Sequence, residues 1–128
     1  MKIEDQVCSL ELAKKLKELG VKQESLFWWQ VDIDGHAELN FGKTLTNYGV
    51  KVEAHYSAFT VAELGEMLPG NISGLYFVTQ KGLMGNSWYV EALTVVGHSE
   101  VWLAIAKTEA DARAKCLIYL IENKLITL

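Results

Sequence analysis

A segment with strict alternation that leads directly into a helix start constrains this chain more than any other. Between positions 50 and 58 apolar side chains occupy every second position, and polar ones fill the positions between them. Successive side chains of a strand point to opposite faces, so the segment is predicted to be a half-buried strand. Thr60 and Glu63 then form the pattern of a capping box, in which each side chain accepts a hydrogen bond from the other residue's amide. A short helix, TVAELGEML, is therefore predicted after the strand, with Pro69 closing it.

The same order of elements occurs twice. Segments 26–68 and 75–125 each contain three predicted strands followed by a helix that begins at a threonine. The predicted strands are 26–33, 37–42, 50–58, 75–81, 87–96 and 101–107. The two segments share this βββα pattern but almost no sequence identity, so a duplication stays an open hypothesis.

Short turns join most of the predicted strands, and a further helix precedes them. This helix is predicted to begin after Ser9 and to run to Leu19, while the last helix follows Thr108 and extends to Leu125. Strands joined by short turns pair antiparallel. The predicted fold class is α+β, with an antiparallel sheet of five to six strands, an N-terminal helix, a short middle helix and a long C-terminal helix.

The bulk properties are those of one globular domain, predicted to span residues 1–128. Half of the residues are hydrophobic and 22% are charged, a balance that supports a substantial core. The net charge of −4 argues against a surface that neutralises nucleic-acid phosphates. No segment has the pattern of a signal peptide or a membrane span, and a cytoplasmic location is expected.

The two cysteines, Cys8 and Cys116, lie near opposite ends of the chain. Both adjoin apolar helical positions, so two reduced, buried thiols are predicted. The alternative is that the dipole of the first helix lowers the pKa of Cys8 and makes it a nucleophile. No sequence motif supplies a histidine partner for such a reaction.

The stretch FWWQVDIDGHAELNFGKT, residues 27–44, comes closest to a recognisable metal or phosphate motif. A calcium loop counted from Asp32 fails because its fifth, sixth and twelfth positions are His36, Ala37 and Lys43. A phosphate-binding loop ending at Gly-Lys-Thr fails because its first glycine would fall at Ala37. The stretch is therefore predicted to be a β-hairpin with no metal and no cofactor.

The hydrophobic pattern of this hairpin selects an odd-numbered loop. A three-residue loop, Asp34-Gly35-His36, would pair Val31 with Leu39 and Trp29 with Phe41, which places the apolar residues on one face. The opposite face, on which Asp32 would lie opposite Glu38, would then point outward. Trp28 would lie opposite Gly42 on this face, where cover by a helix or loop of the same domain is the favoured interpretation and an anchor for a partner is the alternative. Four residues on or beside this outer face are predicted as candidate binding residues: Trp28, Asp32, His36 and Glu38.

No catalytic motif occurs in the sequence, the three histidines are dispersed, and no catalytic or metal-binding residue is predicted. The leading hypothesis is a non-enzymatic accessory protein that binds another protein or itself. One alternative is a nucleic-acid-binding module that uses exposed aromatic residues or a group of lysines, namely Lys14, Lys15, Lys17 and Lys22. Another alternative is a small enzyme with an unrecognised site.

Three blocks of the chain, taken together, resemble a set of small proteins encoded in phages and integrated prophages. The blocks are CSLELAKKLKELGVKQESLFWW, TVAELGEMLP and KTEADARAKCLIYLIENKLI. The resemblance covers most of the chain, in the same order and at about the same length. It implies a bacterial cytoplasm and a small accessory role, and it assigns no activity, cofactor or functional residue.

Overall fold

The three predicted helices are present in the computed structural model of the protein, which describes residues 2–44, 46–47, 49–72, 74–82, 85–93 and 99–127. A short 3₁₀ turn, Ile3–Asp5, precedes α1 (Leu10–Glu18), and α2 (Val61–Met67) and α3 (Glu109–Glu122) follow later in the chain. Both hydrogen bonds of the predicted capping box are formed at Thr60, where α2 begins. The side chain of Thr108 accepts a hydrogen bond from the amide of Asp111 and so caps α3.

The strands form two separate four-stranded antiparallel sheets, and the α+β prediction is confirmed. The first sheet has the order β2-β1-β4-β3 and the second has the order β5-β6-β7-β8. The strands are β1 (Phe27–Asp32), β2 (Ala37–Phe41), β3 (Thr46–Asn47), β4 (Val50–Ala58), β5 (Asn71–Ile72), β6 (Leu75–Lys81), β7 (Trp88–Leu93) and β8 (Ser99–Ala106). Two of these, β3 and β5, are only two residues long and were not predicted. The predicted end of the fifth strand, residues 94–96, lies outside the described residues.

The two βββα segments differ in how their strands are arranged. In the first segment the strand that comes first along the chain, β1, lies in the centre between β2 and β4. In the second segment the middle strand, β7, lies in the centre between β6 and β8. The predicted order of elements is present in both segments, but they do not share one topology, which argues against the duplication hypothesis.

Helix α3 contributes to two hydrophobic clusters. Ala114 and Leu117 pack with α1, α2 and Phe59 in the larger cluster, while Cys116 and Leu120 pack with Val90 of the second sheet. The three-four spacing of the apolar residues in this helix predicts one buried face, but the helix contributes buried residues to both clusters. The helix also ends earlier than predicted, because Lys124 has a φ of 57° and Leu125 is exposed.

The N-terminal segment connects the first sheet to α3. The amide of Cys8 donates to the carbonyl of Phe59 (2.9 Å), and the amide of Ser9 donates to Oδ1 of Asp111 (2.7 Å). Ser9 occupies the predicted N-cap position of α1, although its side chain makes no capping hydrogen bond. The indole nitrogen of Trp29 in β1 donates to the carbonyl of Cys8 (2.9 Å). These bonds hold the β1–β2 hairpin against the larger cluster on one side of the first sheet.

Candidate functional site

The β1–β2 hairpin has the predicted parity but a register that differs by two residues. Trp29 pairs with Leu39, and Val31 pairs with Ala37. The loop is therefore Ile33-Asp34-Gly35 and not Asp34-Gly35-His36. A shift of two residues leaves every side chain on its predicted face, so Val31 and Leu39 still share one side of the sheet.

Asp32 explains why the loop forms one step earlier than the hydrophobic pattern suggested. Its Oδ1 accepts hydrogen bonds from the amides of Asp34 (2.9 Å) and His36 (3.0 Å), and its own amide donates to the carbonyl of His36 (3.0 Å). An aspartate that binds amides two residues ahead organises its own turn. Asp32 consequently lies opposite His36, and the expected opposition of Asp32 and Glu38 does not occur.

The face predicted to point outward is the more buried face of β1. Trp28 is 6% exposed and Gln30 is fully buried, because the segment after β2 folds back across them. The ammonium of Lys43 lies over the Trp28 ring at 4.1 Å from its centroid. The hydroxyl of Thr44 donates to Oε1 of Gln30 (2.8 Å), and Nε2 of His55 lies 3.0 Å from the carbonyl of Thr44.

The four candidate binding residues differ in their exposure. Trp28 is buried under the segment after β2, and Asp32 is buried where its carboxylate accepts hydrogen bonds from the turn. His36 is exposed beside the turn. Glu38 is half-buried and lies opposite Gln30, not opposite Asp32 as expected. A binding role for these four residues stays a prediction, and their arrangement does not form one accessible surface.

Three apolar side chains of the hairpin, which sequence reasoning did not single out, are strongly exposed. Phe41 is 73% exposed, Ile33 68% and Leu26 54%, the three largest values for large hydrophobic residues in the described part of the chain. We call these three residues the hairpin patch; Leu26 and Phe41 lie near the open end of the hairpin, and Ile33 lies in its turn. Phe41 is held by an edge-to-face contact with Phe27, their ring centroids 5.5 Å apart. The alternating pattern did not indicate this exposure. It predicts which side of the sheet a side chain lies on, but not whether other parts of the chain pack against that side.

Strand β2 lies at the edge of the first sheet. Backbone hydrogen bonds at both ends of the hairpin determine which of its residues bond to β1 and which direct their backbone groups away from it; we call this alternation the phase of β2. The Asp32–His36 bond closes the turn end, and the amide of Gly42 donates to the carbonyl of Leu26 (3.0 Å) at the other end. Along an antiparallel ladder, residue pairs that exchange backbone hydrogen bonds alternate with pairs that do not. The even-numbered residues of β2 therefore bond to β1.

The odd-numbered residues of β2 have the opposite orientation. Ala37, Leu39 and Phe41 direct their amides and carbonyls away from β1, toward the open side of the sheet. Their side chains share the face of the sheet that carries Trp29 and Val31. The site thus combines a strand edge to which no other described strand pairs, which we call the β2 edge, with the exposed apolar residues of the hairpin patch.

On the other side of the first sheet, beyond the two-residue strand β3, side chains of the same chain bond to the outer groups of β4. Along β4, Oε1 of Gln23 accepts from the amide of Ser57 (2.8 Å), and Nζ of Lys17 donates to the carbonyl of His55 (2.9 Å). In the second sheet, Nζ of Lys115 donates to the carbonyl of Ile105 in the edge strand β8 (3.1 Å). Native proteins commonly protect strand edges in this way, often with lysine.

The two thiols are confirmed as free and buried. Burial raises the pKa of Cys8 from 9.0 to about 12, and burial likewise raises the pKa of Cys116 to about 12. The alternative of an activated Cys8 at the start of α1 is therefore wrong. A thiol that holds its proton this strongly is a poor nucleophile at neutral pH.

The lysines considered for nucleic-acid binding contact groups of their own chain. Lys14 and Lys17 lie over the Tyr56 ring, at 5.7 and 5.0 Å from its centroid. Lys15 pairs with Glu122 at 3.9 Å. Nucleic-acid binding stays an alternative, although these contacts compete with it.

A cleft of about 520 Å³ lies between the N-terminal turn, α2 and the start of α3. Trp88 lines it together with charged residues of both signs, Asp5, Lys107 and Glu109. Within the described ranges, no three histidine, cysteine, aspartate or glutamate side chains are grouped so that they could hold a metal ion. Among the helices described, none is long and apolar enough to cross a membrane.

Comparisons with protein-family models, with curated proteins and with solved structures found no match for this chain.

Proposed function

We propose that this protein is a non-enzymatic accessory protein of phage or prophage origin, which acts in the bacterial cytoplasm by binding another polypeptide through its β1–β2 hairpin. The observation that carries the proposal is the coincidence of the β2 edge with the hairpin patch. An added strand gains affinity from backbone hydrogen bonds and specificity from the side chains beside the edge. Both requirements are met at this hairpin.

The exposure of Phe41 supports the same proposal. An aromatic ring that is 73% exposed favours a contact surface, because removing a large apolar side chain from water stabilises a complex. Aromatic residues also contribute strongly to the energy of protein interfaces. The contact with Phe27 holds the ring in place, which lowers the entropy lost on binding.

Site-specific photo-crosslinking tests the proposal. A photoreactive phenylalanine analogue placed at Phe41 is expected to crosslink a defined polypeptide in bacterial cells that express the protein. Tyr119, an exposed aromatic residue on α3, is the matched control and is expected to give no such adduct. Absence of adducts at position 41, or the same adducts at both positions, would contradict the proposal.

The nucleic-acid alternative has its own test. Gel shifts at low salt with single- and double-stranded DNA and RNA are expected to show no complex. A shift with a steep salt dependence would favour that alternative over the polypeptide partner.

A further inference from the structure

We infer that the polypeptide that pairs with the β2 edge is a second copy of this protein, joined antiparallel through β2 about a two-fold axis at Leu39. The inference rests on the proposed function and names its partner. Such a dimer would join two copies of the first sheet into one continuous sheet. The inference is based on which backbone groups of β2 point outward, on which side chains would lie opposite each other, and on the position of the charged residue Glu38.

The backbone phase of β2 is compatible with this pairing. Ala37, Leu39 and Phe41 direct their amides and carbonyls outward, so only these residues can form the bonded pairs of an added ladder. An antiparallel arrangement centred on Leu39 pairs Leu39 with itself, and it pairs Ala37 with Phe41 of the second copy. A register shifted by one residue would place outward-directed groups opposite inward-directed ones and leave them unbonded.

The side chains of β2 are self-complementary in this register. On one face, the small Ala37 lies opposite the large, exposed Phe41 of the second copy, and Leu39 lies opposite Leu39. On the other face, Glu38 lies opposite Asn40, and neither pair of residues opposes two like charges. The amide of Asn40 already donates to Oε1 of Gln30 in its own chain (2.6 Å). A symmetric register centred on Glu38 would instead oppose two carboxylates, which is destabilising.

The β2 edge also differs from the edges that the chain blocks itself. Gln23 and Lys17 bond the outer groups of β4, and Lys115 bonds the carbonyl of Ile105 in β8. Within β2 there is no proline or lysine, and its pairing with β1 runs without a bulge. These are the devices that usually prevent edge-to-edge association.

The expected dimer is weak. A pair of five-residue strands with the hairpin patch is small beside the roughly 1,600 Å² of a standard interface, and each copy carries a net charge of −4. The dissociation constant is therefore expected in the micromolar range. Sedimentation must accordingly be measured over a series of protein concentrations that spans this range.

Disulfide crosslinking tests the register. In a bonded antiparallel pair the two Cα atoms lie about 5.5 Å apart, within the range that a disulfide spans. Leu39→Cys is expected to give a covalent dimer under mild oxidation, and Phe41→Cys, although more exposed, is expected to give little alone. A mixture of Ala37→Cys and Phe41→Cys is expected to crosslink. The native thiols are buried and do not interfere. Dimers from Phe41→Cys as readily as from Leu39→Cys, or no dimer from Leu39→Cys, would overturn the inference.

Leu39→Pro tests the backbone contribution in the uncrosslinked protein. The substitution removes an outward amide that makes no bond to β1, so the intramolecular ladder is expected to remain. Leu39→Val keeps that amide and is the matched control. By sedimentation, Leu39→Pro with an unchanged circular dichroism spectrum is expected to be monomeric where wild type and Leu39→Val dimerise. A dimer that survives Leu39→Pro would overturn the inference. If Leu39→Pro fails to fold, the cysteine crosslinks decide.

The failure of this inference can be told apart from the failure of the proposed function. If the wild-type protein stays monomeric and position 41 crosslinks a different polypeptide, the second copy is not the partner. The hairpin would then still be a docking site, as the proposed function states. A monomer without any adduct at position 41 overturns both.

Discussion

At the scale of single residues, the Asp32 carboxylate sets the geometry of the hairpin. It accepts the amides of Asp34 and His36 and is itself almost completely buried. A buried acceptor that satisfies two amides cannot be removed without leaving those donors unpaired. The Asp32 side chain therefore stabilises the observed position of the turn.

Asp32→Ala is expected to lower the free energy of unfolding by about 1–3 kcal/mol, since it leaves two turn amides without their acceptor. Asp32→Asn keeps the Oδ1 acceptor and is expected to cost less. Asp34→Ala changes an exposed neighbour in the same turn and serves as the control. Urea unfolding measures all three variants, and an Asp32→Ala cost no larger than that of Asp34→Ala would contradict this account of the turn.

The buried thiols predict a dependence of stability on alkaline pH. Each thiol has a pKa of about 12 in the folded protein, against 9.0 ordinarily. The unfolded chain loses these protons as the pH rises past 9.0, whereas the folded chain retains them to about 12. The folded state then binds more protons, so the free energy of unfolding falls with rising pH across this window, and the contribution is complete below it.

Unfolding measured over this pH window checks the prediction. The Cys8→Ala, Cys116→Ala double variant removes both thiols and is expected to show a shallower decline than wild type. Equal slopes in the two proteins would contradict the assignment. A thiol reagent is expected to label wild type only when denaturant is added.

At the scale of elements, Glu63 joins α2 to the start of β1. Its Oε1 accepts from the amide of Thr60 (2.9 Å) to complete the capping box, and its Oε2 accepts from the amide of Leu26 (3.1 Å). The first bond was predictable from the T-x-x-E pattern. The second joins residues far apart in the chain, and no local pattern indicates it.

Glu63→Ala is expected to cost about 1–2 kcal/mol of stability, because it removes a cap and the acceptor of a strand amide. Glu66→Ala makes the same chemical change at an exposed position of α2 and is the matched control. Thermal unfolding followed by circular dichroism distinguishes them. An equal loss of stability in both variants would contradict the stabilising role of these two hydrogen bonds, because both variants make the same change in helix propensity.

The spacing of hydrophobic residues and the helix-capping residues predicted most of the strands and helices. The remaining features depend on contacts between residues that are far apart in the sequence. The predicted bounds of β4 and β6 are those observed. Alternation marks the ends of β4, and β6 lies between residues typical of a loop and of a turn. The hairpin register differed by two residues because alternation has a period of two and cannot distinguish such shifts. Cover of Trp28 by the same domain was expected, and Trp28 is buried. Its source, Lys43 and Thr44 in the segment after the hairpin, was not predicted. The β2 edge required knowledge of strand order, which the sequence does not contain.

At the scale of the whole molecule, α3 links the two sheets. Leu117 belongs to the cluster formed with α1 and α2, and Leu120 belongs to the cluster formed with Val90 of the second sheet. A helix that is buried on both sides couples the stability of the elements that it contacts. The two sheets are therefore expected to unfold together.

Leu117→Ala and Leu120→Ala are each expected to cost about 2–5 kcal/mol and to shift one common transition. Tyr119→Ala, on the exposed side of α3, is the control and is expected to change little. Tryptophan fluorescence and far-UV circular dichroism should give coincident unfolding curves in every variant. Two separate transitions, one sensitive to each substitution, would contradict the coupling.

Amide hydrogen exchange along β2 tests the central claim, that the outer side of this strand is unpaired in the single molecule and is occupied on binding. In the dilute protein, the amides of Glu38 and Asn40 are expected to exchange slowly, because they bond to β1, and those of Ala37, Leu39 and Phe41 to exchange fast. At high protein concentration, or with a crosslink-identified partner, the three fast amides are expected to become protected while Glu38 and Asn40 change little. Fast exchange at Leu39 in a sample shown to be fully complexed would contradict the account.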